Sequence, residues 1–128
     1  MIAIRALDGT EVEVNEASIT LVAGPYPHDV GPHTYLYGVE RGVLATAEDA
    51  AALVARLGVK PPLAKLTRPD STPVWVKPSG VSAIRLPLAT ERQKGRVNAV
   101  LVIGDLHQAV REDMRTATGI LNPATATA

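Results

Sequence analysis

An internal repeat constrains the fold of this chain more than any other feature of its sequence. Residues 4–25, IRALDGTEVEVNEASITLVAGP, align without a gap on residues 66–87, LTRPDSTPVWVKPSGVSAIRLP. Both segments contain an aspartate and a threonine at matching positions, followed by two valines that one residue separates. Such self-similarity predicts two copies of one supersecondary unit that pack together. The predicted domains are a first unit at 1–59, a linker at 60–62, a second unit at 63–122 and a tail at 123–128.

Each unit is predicted to be a small, curled antiparallel sheet closed by a helix. Asp8-Gly9 suits a tight hairpin turn, and the TEVEV segment that follows alternates polar and apolar residues as a half-buried strand does. A helix is expected to begin after an N-cap at Thr46 and to end at Gly58. The expected fold class is mainly β (α+β), with two tandem antiparallel sheet or barrel-like units that each end in a short α-helix. Predicted strands cover about 2–7, 10–14, 18–23, 34–39 and 43–46, then about 64–68, 73–77, 81–86, 97–103 and 106–110, before a second helix at about 111–121.

The composition predicts a soluble chain with an aliphatic core. Hydrophobic residues make up 46% of the 128 residues, yet there is no Phe and only one Trp, so Val, Leu, Ile and Ala must fill the core. The absence of Cys excludes disulfides, thiol catalysis and thiolate metal sites. The start MIAIRALDG lacks the features of a signal peptide, and no apolar stretch is long enough to span a bilayer. We therefore expect a cytoplasmic protein, or part of an assembled particle, without membrane insertion.

The two halves of the chain carry opposite charge. Residues 1–62 contain four Lys or Arg and eight Asp or Glu, a balance of −4, whereas residues 63–128 contain nine and five, a balance of +4. The sum is zero, which makes general nucleic-acid binding unfavourable. The opposite signs favour pairing of the halves or head-to-tail contact between subunits, while ordinary scatter of surface charge explains them equally well.

Seven residues of the first unit form a recognisable pattern: Met1, Ile2, Leu7, Asp8, Gly9, Asn15 and Ile19. This pattern resembles the small flagellar FlbD/SwrD-type family, whose proteins begin with Met-Ile and carry Leu-(Asn/Asp)-Gly before a strand. They then have an Asn before an Ile-containing strand, and they end in a strand and a short helix. The resemblance covers about half of the chain, and the Pro-rich loop and the duplication depart from the family. It implies a binding or assembly role rather than catalysis.

The segment GPYPHDVGPHTYLYG, residues 24–38, is the richest in candidate functional residues. His28, Asp29 and His33 are acceptable metal ligands, but their spacing matches no established metal motif and too few further ligands exist. His28 and Asp29 are also a candidate base and orienting carboxylate, although no activated nucleophile accompanies them. The sequence contains no G-x-G-x-x-G, P-loop, G-x-S-x-G or H-E-x-x-H motif.

A preorganised contact loop is the third interpretation of this segment. Its three prolines restrict φ, and its three tyrosines offer rigid surface with a polar tip, which suits either packing between the units or an interface. The candidate interface residues are Tyr26, His28, His33, Tyr35, Tyr37 and Trp75. A basic loop is formed by Arg85, Arg92, Lys94 and Arg96. Without interleaved aromatic residues, this loop is expected to be solvated rather than to bind nucleic acid.

These observations favour a non-catalytic structural or assembly protein. We expect a building block or adaptor in a homo-oligomeric or larger complex, such as a bacteriophage virion or a bacterial surface machine. One alternative is a regulatory binding module for a protein, a small ligand or nucleic acid. A second is a metal-dependent enzyme that uses His28, Asp29 and His33. No cofactor and no catalytic or metal-binding residue is assigned, and the expected partners are proteins, including further copies of the chain.

Overall fold

Antiparallel strands are the main elements of both halves of the chain. The computed structural model describes residues 1–24, 33–39, 42–57, 63–92 and 96–121. The chain divides into two units, Met1–Leu63 and Ala64–Ala128. The predicted mainly β class with antiparallel sheets is confirmed. The predicted linker and tail lie outside the described residues. The first helix ends at Arg56 with Leu57 as its C-cap, one residue before the predicted cap at Gly58, because the Leu57 amide already donates to the Leu53 and Val54 carbonyl oxygens.

The first unit consists of a hairpin, a three-stranded antiparallel arrangement and a helix. Strand β1 pairs with β2, and β4 pairs with β3 on one side and with β5 on the other. A single 3₁₀ turn at Glu16–Ser18 leads into β3. The elements are β1 (Ile2–Arg5), β2 (Glu11–Val14), β3 (Leu21–Ala23), β4 (Thr34–Val39), β5 (Gly42–Thr46) and α1 (Ala50–Arg56).

The second unit repeats this order of elements, with one additional short helix. Strand β6 pairs with β7, and β9 pairs with β8 and β10, again antiparallel. A 3₁₀ turn at Pro78–Gly80 precedes β8, as its counterpart precedes β3. The elements are β6 (Ala64–Thr67), β7 (Pro73–Val76), β8 (Ala83–Arg85), α2 (Ala89–Arg92), β9 (Ala99–Ile103), β10 (Leu106–Val110) and α3 (Met114–Leu121).

The two hairpin turns are built by the same contacts. In the first unit the Thr10 amide donates to a carboxylate oxygen of Asp8 at 2.9 Å, and in the second the Thr72 amide donates to Asp70 at 3.0 Å. The residue after each aspartate has a left-handed backbone, with φ of 90° at Gly9 and 77° at Ser71. Local side-chain hydrogen bonds of this kind hold an Asx-type turn, and the first of these turns contains Asp8-Gly9, which predicted a hairpin there.

The strand registers also correspond, apart from one extra residue in the first unit. Leu36 lies opposite Leu44 across β4 and β5, and Leu101 lies opposite Gln108 across β9 and β10. Between Tyr37 and Val39 the first register shifts, which leaves Gly38 as the extra residue of a β-bulge. The pairing of β9 with β10 proceeds without such a shift.

Aliphatic side chains fill the core of each unit, as the composition predicts. Buried residues come from the inward faces of the strands and from the helix faces packed on them. In the first unit the most buried large side chains are Ile4, Val14, Ile19, Leu21, Val22, Leu36 and Leu53. In the second they are Leu66, Val74, Val76, Val100 and Leu101.

The start of α1 differs from the prediction. Thr46 belongs to β5 instead of capping the helix, and its hydroxyl donates to the Arg5 carbonyl oxygen at 2.7 Å. The N-cap is Asp49, whose carboxylate accepts a hydrogen bond from the Ala52 amide at 3.1 Å. The Thr46 hydroxyl, which the sequence predicted to cap the helix, is therefore hydrogen-bonded to the backbone of β1. None of the described helices is both long enough and apolar enough to cross a membrane.

Candidate interaction surface

The described part of the tyrosine-rich segment lies on β4 of the first unit. Tyr35 and Tyr37 are half-buried on one face of the strand, and His33, just before it, is half-buried in the same alternation. Leu36 points to the opposite face and is fully buried. Tyr35 lies opposite Ala23 and Tyr37 opposite Leu21, so β3 supports both rings from one side. Their predicted interface role stays a prediction.

The remaining residues of this segment lie outside the described residues. Tyr26, His28 and Asp29 are among them, so the proposed metal and base–carboxylate sets stay predictions. Within the described ranges, no group of three or more His, Asp or Glu side chains is arranged to hold a metal ion.

Trp75 is a buried residue of β7. Its exposed fraction is 8%, and the Nζ atom of Lys65, which lies opposite it on β6, is 5.8 Å from the ring centroid. A cation at this distance over an aromatic face contributes about 0.5–1 kcal/mol at an exposed site. Both neighbours of Trp75 in the strand are buried as well, so β7 is covered on both faces. A partner role for Trp75 stays a prediction.

The predicted basic loop contains a charge that is already neutralised. The Arg85 guanidinium donates to both carboxylate oxygens of Glu91, at 2.8 and 3.0 Å. Arg96 is exposed and has a positive φ of 54°. Lys94 and the side chain of Arg92 lie outside the described residues. Arg85 is therefore half of an ion pair rather than part of a free cationic patch.

We call this ion pair the Arg85–Glu91 clamp, because it also fastens the backbone between its two residues. Glu91 accepts a hydrogen bond from the Leu88 amide at 2.7 Å, and Arg85 donates to the Leu86 carbonyl oxygen at 3.2 Å. The Nδ1 atom of His107 lies 3.5 Å from Arg85. The hydrogen bonds from Arg85 and from the Leu88 amide lower the pKa of Glu91 from 4.5 to about 2. Glu91 is therefore ionised throughout the physiological pH range.

The clamp presents two large apolar side chains to solvent. Leu86 is 61% exposed and Leu88 is 60% exposed, while Pro87 between them is buried. We call Leu86 and Leu88 the leucine pair. Single exposed leucines are common on protein surfaces, but two on a backbone held by a bidentate ion pair form an ordered apolar knob.

The leucine pair directly follows an open edge of the second unit. Strand β8 pairs with β9 on one side, and no described strand pairs with its other side. Ala83 is exposed, whereas Ile84 is half-buried. At the amino end of β8 lies a shallow hollow of about 180 Å³, lined by Pro78, Val81, Ser82, Ala83, Ile84 and Leu121. We call it the β8 hollow.

A larger hollow lies in the first unit, between the end of β1 and the start of α1. Its volume is about 320 Å³, and Arg5, Leu7, Thr46 and Glu48 are among its lining residues. The Glu48 carboxylate is held by Arg56 through hydrogen bonds of 2.8 and 2.9 Å, so this acid is already paired. This hollow offers a charged rim without a nucleophile and base in hydrogen-bond contact.

Sequence reasoning did not identify the leucine pair, the clamp or the β8 hollow. The sequence around 85–91, RLPLATE, did contain a signal, because leucines on both sides of a proline lie on one face of an extended segment and the proline lies on the other. The ion pair between Arg85 and Glu91 could not be predicted from the number of residues between them, because a loop and the start of a short helix join the two. The chain matches no protein-family model, no curated protein and no solved structure.

Proposed function

We propose that this chain is a non-catalytic structural or assembly protein that acts as a building block or adaptor in a homo-oligomeric or larger complex. A bacteriophage virion or a bacterial surface machine is the kind of assembly in which such a protein would work. The observation that carries the proposal is the leucine pair, which exposes two large aliphatic side chains on a clamped backbone beside an open strand edge.

Energetics favour association at such a surface. Covering an exposed leucine contributes about 1.5–3 kcal/mol relative to leaving it in water, when the side chain becomes fully buried. The Arg85–Glu91 clamp holds the segment in place before any partner arrives, so little further conformational entropy is lost on binding. A strand edge that no described strand covers, such as that of β8, is the feature that strand-addition interfaces use.

The tandem organisation belongs to the same proposal. Matching order of elements, matching Asp-x-Thr turns and matching strand registers support the descent of both units from one duplicated module. Duplicated modules offer related but non-identical surfaces, which suits an adaptor between two neighbours. The positive balance of the second unit and the negative balance of the first favour ordered, directional contacts.

Sedimentation velocity and light scattering at several concentrations test the proposal. The natural chain is expected to form a defined multimer, and the double variant Leu86→Ser, Leu88→Ser is expected to shift towards the monomer. The matched control is Val43→Ser, which removes another half-exposed aliphatic side chain, in the first unit. A natural chain that stays monomeric at every concentration, alone or with proteins encoded beside it, would overturn the proposal.

A further inference from the structure

We propose that two copies of this chain form a two-fold symmetric dimer in which β8 of one copy pairs antiparallel with β8 of the other. This inference rests on the proposed function, because it assumes self-association and assigns it to one strand edge. The partner is therefore a second copy of the chain, and the contact is isologous, with the same patch used on both sides.

The two ends of β8 are complementary to each other. The leucine pair follows the strand at its carboxyl end, and the β8 hollow lies at its amino end. A two-fold axis perpendicular to the strand reverses its direction, so that the knob of each copy meets the hollow of the other. One contact therefore covers the leucine pair and the β8 hollow of both copies, which a one-sided partner would not do.

The register follows from an axis that passes beside Ile84, the central residue of the strand. Ile84 then lies opposite its own copy, and Arg85 lies opposite Ala83 of the second copy. One step further along, Leu86 lies opposite Ser82 of the second copy, a residue that lines the β8 hollow. Opposite residues in an antiparallel pair have Cβ atoms about 4.5–5.5 Å apart, which is close enough for Leu86 to enter this hollow.

Charge is expected to weaken this contact without changing its register. The formal net charge of the chain is zero, but the second unit, which contains β8, has a balance of +4, so the contact brings two like-charged units together and should strengthen as salt screens them. Arg85 is the one charged residue of β8, and it is neutralised by Glu91 within its own copy. Strand edges that must stay unpaired usually carry free charges or a proline on the strand. Strand β8 lacks both, because its charge is bound in the clamp and Pro87 comes after the strand.

The dimer is expected to be weak, because three residues of strand and two leucines make a small contact. Interfaces below about 1,200 Å² are typical of transient complexes. Sedimentation measurements should therefore cover protein concentrations from about 1 µM to about 1 mM, where weak associations become half-populated.

Cysteine crosslinking tests the register, since the natural chain contains no Cys. A residue on the two-fold axis faces its own copy at a Cα separation that disulfides tolerate, about 4.4–6.8 Å. The variant Ile84→Cys is thus expected to give a covalent dimer under mild oxidation. Asp105→Cys, in the exposed turn between β9 and β10, measures random collisions, and Val43→Cys tests β5 as an alternative contact. Far-UV circular dichroism checks that each variant is folded.

The outcomes separate this inference from the proposed function. Crosslinking of Ile84→Cys at least tenfold above the Asp105→Cys level, together with at least tenfold weaker dimerisation of Leu86→Asp, supports the β8 dimer. A natural chain that forms a multimer while Ile84→Cys stays at the Asp105→Cys level shows that the β8 register is wrong and leaves the assembly role standing. A natural chain that is monomeric up to the highest concentration refutes the β8 dimer, and only a partner protein would then sustain an assembly role.

Discussion

Replacement of Gly38 by alanine is the change that most severely tests the description of the first unit. Gly38 is the extra residue of the bulge in β4, and its φ is +91°, a conformation that L-residues other than glycine rarely adopt. A Cβ atom at this position would lie 2.3 Å from the Ser18 carbonyl oxygen and 3.0 Å from the Thr20 nitrogen. Both neighbours are backbone atoms, so no side-chain rotation relieves the contact.

The expected destabilisation has two parts. The left-handed backbone alone costs about 1–2 kcal/mol for alanine. Relief of the overlap must then move the strand away from the 3₁₀ turn, which strains the hydrogen bond from the Thr20 amide to the Tyr37 carbonyl oxygen, 3.0 Å in the native unit. Overpacking of this kind costs about 1–3 kcal/mol, and a lost hydrogen bond about 1 kcal/mol more. The whole effect is therefore about 3–6 kcal/mol.

This effect is large compared with the stability of the unit. Small domains have a free energy of unfolding of about 0.05–0.15 kcal/mol per residue, which gives about 3–9 kcal/mol for a unit of 63 residues. Gly38→Ala is thus expected to leave the first unit marginally folded at best. Urea unfolding followed by far-UV circular dichroism measures this, and the fluorescence of Trp75 reports on the surroundings of this residue in the second unit.

Gly9→Ala is the matched control. Gly9 has nearly the same backbone angle, a φ of +90°, but no atom lies within 4 Å of the position of its Cβ. Its replacement is expected to cost only the backbone term, and the equivalent Ser71 shows that this turn accepts a side chain. If the two alanine variants differ by less than about 0.5 kcal/mol, the close approach of Gly38 to Ser18 is refuted.

Three further changes test the clamp, the helix cap and the buried hydroxyl. Because Arg85 lowers the pKa of Glu91 from 4.5 to about 2, the clamp stabilises the fold above about pH 4.5 and loses this effect as pH falls towards 2. The urea concentration at the midpoint of unfolding should therefore depend less on pH between 2 and 4.5 in Glu91→Gln than in the natural chain. The same pH dependence in both proteins would contradict the ion pair. Asp49→Ala removes the N-cap of α1 and should lower the stability measured by thermal denaturation by about 1 kcal/mol, whereas Asp49→Ser should keep most of that stability. Equal losses in the two variants would argue against the cap. Thr46→Val leaves the Arg5 carbonyl oxygen without its hydroxyl donor and should lower the free energy of unfolding by about 1–3 kcal/mol, whereas Thr46→Ser should lower it much less. A valine variant as stable as the natural chain would show that water replaces the bond.

Much of the local structure could be predicted from residue patterns. Asp8-Gly9, the alternating valines and the aliphatic composition led to a hairpin, antiparallel strands and a core without phenylalanine, and β4 spans the predicted residues 34–39 in full. These features depend on contacts between residues that are close in the sequence, so the residue pattern is enough to predict them. The N-cap at Asp49 was missed because Thr46 is also a residue type that caps helices, whereas the structure places it in β5, where its hydroxyl bonds to the Arg5 carbonyl oxygen.

The sequence by itself thus determined the class of fold and the order of its strands, because turn residues and the two-residue period of a strand act over short distances. Tertiary structure alone decided which polar groups meet and which apolar ones stay in water. Arg85 pairs with Glu91 across a loop, and the backbone between them exposes Leu86 and Leu88 to solvent. Gly38 of β4 lies close to Ser18 of the 3₁₀ turn. The approach of Gly38 to Ser18 depends on the packing of elements that are distant along the chain, and the clamp depends on the path of the loop and short helix between its two residues. Residue spacing encodes neither.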